Sequence, residues 1–159
     1  MTDSKFKTLR HIEAVRNYIN FCIKMLLIRS EDHDQTKLEP PELDYFVKYT
    51  PLLKDSVYGS EEYKAILKEM KPAIDHHNKH NRHHPEHFIG GIDSMNLIDL
   101  LEMMCDWVAA SKRHNNGDIF KSLEINKDRF NMSTQLYNVL VNTAQILNAS
   151  QVQHKAEES

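Results

Sequence analysis

Ten histidines occur among 159 residues, and six of them fall in the run from His76 to His87: His76, His77, His80, His83, His84 and His87. Neutral imidazole binds borderline divalent metals, and its spacing here (His-x3-His and His-x2-His) puts several rings on one face of a helix. The plainer account is a hydrophilic surface segment rich in histidine. Three further positions invite chemistry. His11 shares a helical face with Val15, Tyr18 and Cys22, where a histidine is either a satisfied core residue or a ligand. The adjacent pair His33-Asp34 offers one imidazole nitrogen and one carboxylate oxygen. Asp106 sits between Cys105 and Trp107 in an apolar run, and a buried carboxylate wants Arg, Lys or a metal beside it. Asp99 and Glu102 precede Asp106 in one acidic stripe, which a solvated strip would explain equally well.

The elements that must position these residues are helices. Phe6 to Ile28 repeats with a helical period, and Ser30, Glu31 and Asp32 are expected to interrupt it. Pro40-Pro41 stops whatever helix carries His33, and the next should run from Glu42 to about Lys54. Ser60 reads as the cap of a helix through Tyr63, Ile66, Leu67, Met70 and Ile74, kinked at Pro72. His84-Pro85 and Gly90-Gly91 bound an irregular connection. Asp93 or Ser94 is then expected to cap a helix from Met95 to about His114, ended by Asn116-Gly117. Asp118 to Phe130 and Ser133 to Asn148 complete the set. The fold class is all-α: a single-domain bundle of six or seven helices over residues 1–148, with a polar tail at 149–159.

Composition agrees. Apolar residues are 40% and charged residues 27%, enough for one core, while 4 Gly and 5 Pro are too few for a β-sandwich. A net charge of -3 gives no electrostatic footprint for duplex nucleic acid. No run is long and apolar enough to span a membrane, and no signal-peptide pattern opens the chain. With cysteines only at positions 22 and 105, a cytoplasmic protein is expected.

The order His11 … His33-Asp34 … Asp106 resembles the H…HD…D signature of the HD-domain metal-dependent phosphohydrolase superfamily, over roughly residues 5 to 130. His33-Asp34-Gln35-Thr36-Lys37 is similar to the HDxxK form of several branches. Residues 76 to 131 also resemble a small phage and bacterial family from which no activity carries over, so the host cytoplasm is the expected location if the chain is phage-encoded. The superfamily resemblance implies an all-helical fold and hydrolysis of a nucleotide or nucleotide-like phosphate ester by metal-activated water. It implies one or two divalent ions (Mn, Fe, Co, Ni or Zn), with His11, His33, Asp34 and Asp106 as ligands. Members with further metals add histidines in between; His77 and His84 are the first choices here, with His76, His80 and His83 behind them. Asp34 would be ligand and neighbour of the attacking water. Lys37, Arg82 and Arg113 would reach phosphate oxygens, Lys37 with a catalytic part, and Tyr45, Tyr49 or Trp107 could stack on a base. The chain departs from the cyclic-dinucleotide branch in lacking Gly-Tyr-Pro, and it has Lys37 where some deoxynucleotidases place an acid.

No HExxH, CxxC, GxGxxG or GxSxG motif competes. Beside a small-nucleotide hydrolase stand three alternatives: a cyclic-nucleotide phosphodiesterase of the same fold, a metal- or nucleotide-binding module without chemistry, and a helical adaptor. A homodimer through the Ser133–Asn148 helix is the expected oligomer, if there is one.

Overall fold

The computed structural model describes residues 3–56, 60–112 and 117–157, with side chains to residue 149. All secondary structure among the described residues is helical, seven α-helices and three short 3-10 turns, so the all-α expectation holds. The chain divides into two units, Met1–His33 and Asp34–Ser159.

The first unit is one helix, α1 (Asp3–Asp32). It continues through Ser30-Glu31-Asp32, where an interruption was expected. Neither Gly nor Pro occurs there, and the Ser30 hydroxyl donates to the Leu27 carbonyl at 2.7 Å, so its polar group is satisfied inside the helix. His11 and Val15 lie one turn apart in α1.

The second unit opens with Asp34 and a 3-10 turn, Gln35–Leu38. Then come α2 (Glu42–Asp55), α3 (Glu61–Glu69) and α4 (Lys71–His80). Ser60 caps α3, its hydroxyl accepting from the Tyr63 N–H at 3.1 Å. The kink expected at Pro72 is instead a break: α3 ends at Glu69, and Pro72 stands in the first turn of α4. At that position its missing N–H costs nothing, so proline starts a helix there more readily than it bends one. Between the two helices Met70 is buried at 2% exposure and, with Ala73 and Tyr49, fills the space among α2, α3 and α4.

Two 3-10 turns, Pro85–His87 and Gly91–Ser94, carry the chain to α5 (Leu97–Ser111). Asn96 caps α5 rather than Asp93 or Ser94, which belong to the preceding turn. Its side chain accepts from the Ile98 and Asp99 N–H groups, and Asp99 returns a bond to the Asn96 N–H at 3.2 Å. The helix ends at Ser111, short of His114. Asn116 lies outside the described residues.

Asp118 caps α6 (Ile119–Arg129), and Ser133 caps α7 (Thr134–Glu157). Helix α7 therefore runs past residue 148. The main core joins α5, α6 and α7 through Met103, Met104, Val108, Ile119, Leu123, Leu140 and Ala144. In this helix, which was expected to supply any dimer face, Leu136 and Leu147 pack against the core, whereas Val139 is half exposed. Trp107 stacks on Phe130 at 6.0 Å and also packs against the core.

Candidate metal centre

The turn after α1 aims Asp34 by an unusual backbone. Asp34 has φ 60°, ψ 9°, a left-handed conformation that Asp and Asn tolerate better than most residues. It stands at the cap position of the 3-10 turn yet makes no side-chain cap bond. Its two carboxylate oxygens go different ways instead. Oδ2 takes an ion pair from Lys37 Nζ at 2.6 Å, and Oδ1 approaches His77 Nε2 at 3.2 Å and His83 Nε2 at 3.5 Å.

His77 is delivered by the last turn of α4, and His83 and His84 by the turn that follows Asn81. One ring nitrogen from each of the three lies within 4.8 Å of the others. The rings meet edge to face or tilted, with His77 and His84 at 4.8 Å and 76°, and His83 and His84 at 4.2 Å and 45°. Parallel stacking would keep the lone pairs apart; this arrangement lets them converge. The Nε2 atoms of His77 and His84 are buried and have no hydrogen-bond partner. The 3.2 Å approach of Asp34 to His77 lacks hydrogen-bond alignment, so it is a close approach and not a bond.

The separation between Asp34 Oδ1 and His77 Nε2 matches an edge of a coordination shell. Donors about 2.1 Å from a common ion stand ~3.0 to 3.4 Å apart when adjacent. Three imidazole nitrogens and one carboxylate oxygen suit a borderline divalent metal. The residues therefore fit such an ion, and neutral imidazole at His84 fits it further. Burial, helped by the neighbouring His83 and His77 rings and the Lys37 ammonium, lowers the His84 pKa from 6.5 to about 3. At neutral pH its lone pair is free to donate.

Carboxylates back two of the three rings. Glu42, fully buried in the first turn of α2, takes His77 Nδ1 at 2.9 Å and His76 Nδ1 at 2.7 Å. Glu102 meets His83 Nδ1 at 3.1 Å. A carboxylate behind a ligating histidine fixes the ring and its tautomer.

Of the residues singled out from sequence, the structure brings Asp34, Lys37, His77 and His84 together. Asp106, half-buried on α5, has a carboxylate oxygen within 4.8 Å of one from Asp34. His33 ends the first unit, one peptide bond before Asp34, and His11 lies within that unit's helix. Arg82 is engaged elsewhere: its Nε and Nη2 grip both oxygens of the fully buried Asp99 at 3.1 and 2.9 Å. That pairing answers the charge of Asp99, which the solvated-strip account had left in water. Arg113 lies outside the described residues. His80 stacks on His76 and its Nδ1 faces the His76 carbonyl, and His87 faces the Lys79 carbonyl. Tyr45 and Tyr49 stack 6.3 Å apart and line, with Lys48, Lys68 and Pro72, an open cavity of about 470 Å³ whose lining includes none of the histidines.

Sequence reasoning missed Glu42, because an acid just after Pro41 reads as an ordinary first-turn residue. It ranked His83 below its neighbours, since spacing alone cannot say which of two adjacent rings turns inward. Both turn inward.

No curated protein and no solved structure matches the chain. A family model does match, over residues 1–150. The chain belongs to that family, a family of unknown function designated DUF5662.

Proposed function

We propose that the protein is a metal-dependent phosphohydrolase acting on a nucleotide or nucleotide-like phosphate ester. The observation that carries the reading is the gathering of one ring nitrogen each from His77, His83 and His84 within 4.8 Å, with Asp34 Oδ1 3.2 and 3.5 Å from the first two and a lysine beside it. His33, Asp106 and His11 are the further ligands that the H…HD…D resemblance adds. A bound divalent ion supplies Lewis acidity toward water and toward a phosphate oxygen.

The chain's own groups would do the rest. The three imidazoles hold position through Nε2, two of them steadied from behind by carboxylates. Asp34 divides its work: Oδ1 faces the donors, and Oδ2, on the Lys37 side, can accept a hydrogen bond from the attacking water. Lys37 Nζ, already 2.6 Å from that oxygen, would neutralise charge on a phosphoryl oxygen as it develops. Arg82 has no such part while it holds Asp99.

One observation favours a second reading. Asp34 Oδ1 stands 3.2 and 3.5 Å from two of the three rings; were it to join the three nitrogens, four protein donors would leave no open position, and the ion could tie the fold together without turning over a substrate.

The test is metal content by elemental mass spectrometry on untagged protein, for wild type, His77→Ala and Asp34→Asn, followed by a phosphoester screen. Asn keeps the left-handed backbone available at position 34 and removes only the charge, which Ala would not. One or two equivalents of a transition metal, depleted in both variants, with hydrolysis of a phosphoester lost in parallel, is the expected result. Metal without hydrolysis of any phosphoester would favour the structural ion. No metal after reconstitution with each candidate ion would remove both readings.

A further inference from the structure

Among the described residues Glu42 is the one fully buried carboxylate in contact with the histidine cluster, and it lies outside every motif read from the sequence. Burying a carboxylate is expensive unless donors surround it. Here they do. Oε1 faces His76 Nδ1 at 2.7 Å; Oε2 faces His77 Nδ1 at 2.9 Å and accepts from the Thr36 hydroxyl at 3.1 Å.

A count of hydrogens decides which proton His77 carries. Thr36 has one hydroxyl hydrogen, and both Glu42 Oε2 at 3.1 Å and His77 Nδ1 at 3.2 Å lie within its reach; the carboxylate, which carries no hydrogen of its own, takes it. Asn81 Nδ2 has two hydrogens; one goes to Thr36 Oγ1 at 2.9 Å and the other to the His77 carbonyl at 2.9 Å. The 3.0 Å approach of Asn81 Nδ2 to His77 Nδ1 thus has no hydrogen left to occupy it. A carboxylate only accepts, so the remaining hydrogen between His77 and Glu42 belongs to Nδ1. That leaves His77 Nε2 as the bare lone pair, buried and aimed at the other donors.

We infer that Glu42 is a positioning residue for the metal centre: it holds His77 in the Nδ1–H tautomer and at the ring angle from which Nε2 can ligate. The inference rests on the metal-binding part of the reading above and not on its hydrolytic part. Thr36 and Asn81 belong to the same device, because they use up the other hydrogens that could have competed for Glu42 or for Nδ1. Glu102 stands behind His83 in the same way, at 3.1 Å from Nδ1, so the centre uses the arrangement twice. His76 occupies the other oxygen of Glu42, whereas His87, whose Nδ1 faces the Lys79 carbonyl at 2.7 Å, makes no bond to Glu42 and is the natural control.

The experiment uses the full chain. Zinc affinity is measured by competition with a chromophoric chelator for wild type, Glu42→Gln and His87→Gln, and the cobalt(II) absorption spectrum is recorded for each. Long-range proton–nitrogen NMR on metal-free wild type reads the His77 tautomer directly. Glu42→Gln should weaken zinc binding about tenfold to a hundredfold and alter the cobalt spectrum, while His87→Gln changes both little. The wild-type spectrum should place the His77 hydrogen on Nδ1. Wild-type affinity and an unchanged cobalt spectrum in a folded Glu42→Gln would overturn the inference and leave the centre standing. A His77 hydrogen on Nε2 would overturn it even if that variant failed to fold. A wild-type protein that binds no zinc or cobalt would overturn the centre, and this role with it.

Discussion

The His84 imidazole is shielded from water by the cluster it helps to form, and that burial has a consequence in solution. Its pKa falls from 6.5 to about 3 in the folded chain, so the unfolded chain binds the extra proton first as pH drops. Above pH 6.5 both states leave the ring neutral and stability is untouched. Between 6.5 and about 3 the metal-free protein should lose up to ~1.4 kcal/mol per pH unit from this group, approaching about 2 kcal/mol at pH 5. Urea unfolding of wild type and His84→Gln at pH 7.5 and pH 5 checks it, and the variant should show the smaller difference. At this scale the sequence was informative about residue type and blind to orientation. Composition and spacing marked the histidine-rich segment and left several of its rings open; His77 and His84, first choices under the resemblance, lie together with His83. Which rings turn inward depends on the left-handed turn at Asp34 and the bend after Asn81, neither of which leaves a periodic trace.

Among the elements, the junction between α4 and α5 carries a buried carboxylate paired with an arginine. Asp99 opens α5, is fully buried, and is held by Arg82 from the segment after α4 and by the Asn96 N–H. A charge buried this way is far costlier alone than paired. Arg82→Ala should therefore destabilise the fold by about 1 to 3 kcal/mol, a range set below that of a fully buried pair because the arginine is itself partly exposed. Thermal unfolding would show it; an arginine waiting only for substrate would leave the melting temperature unchanged. Helix starts were well marked in the sequence at Ser60, Asp118 and Ser133, where a short polar side chain precedes an apolar repeat. They were misplaced at Asn96 because Asp93, Ser94 and Asn96 all have capping chemistry, and the intervening 3-10 turn chooses among them. Pro72 was misjudged for a related reason, since proline serves both to start helices and to bend them.

For the molecule as a whole, the all-α class followed from apolar residues at helical spacing and the scarcity of glycine. The packing of α5, α6 and α7 around Met103 and Met104 did not, because long flexible methionines fit many partners. Stability ties the whole second unit to the centre. An ion that binds only the folded chain adds about 2.7 kcal/mol when present at a hundred times its dissociation constant. The melting temperature should thus rise with added metal and fall back with chelator, and a helical adaptor without a metal would show neither change.

Asp34 stands on one side of α2 and α3 in the chain, and His77, His83 and His84 on the other. An ion held by all four would close the intervening chain into a ring, as a disulfide does. For a loop of this length the loss of freedom in the unfolded chain is worth roughly 4 kcal/mol. The centre would then act as a reversible cross-link, with α2 and α3 inside a loop that opens whenever the ion leaves.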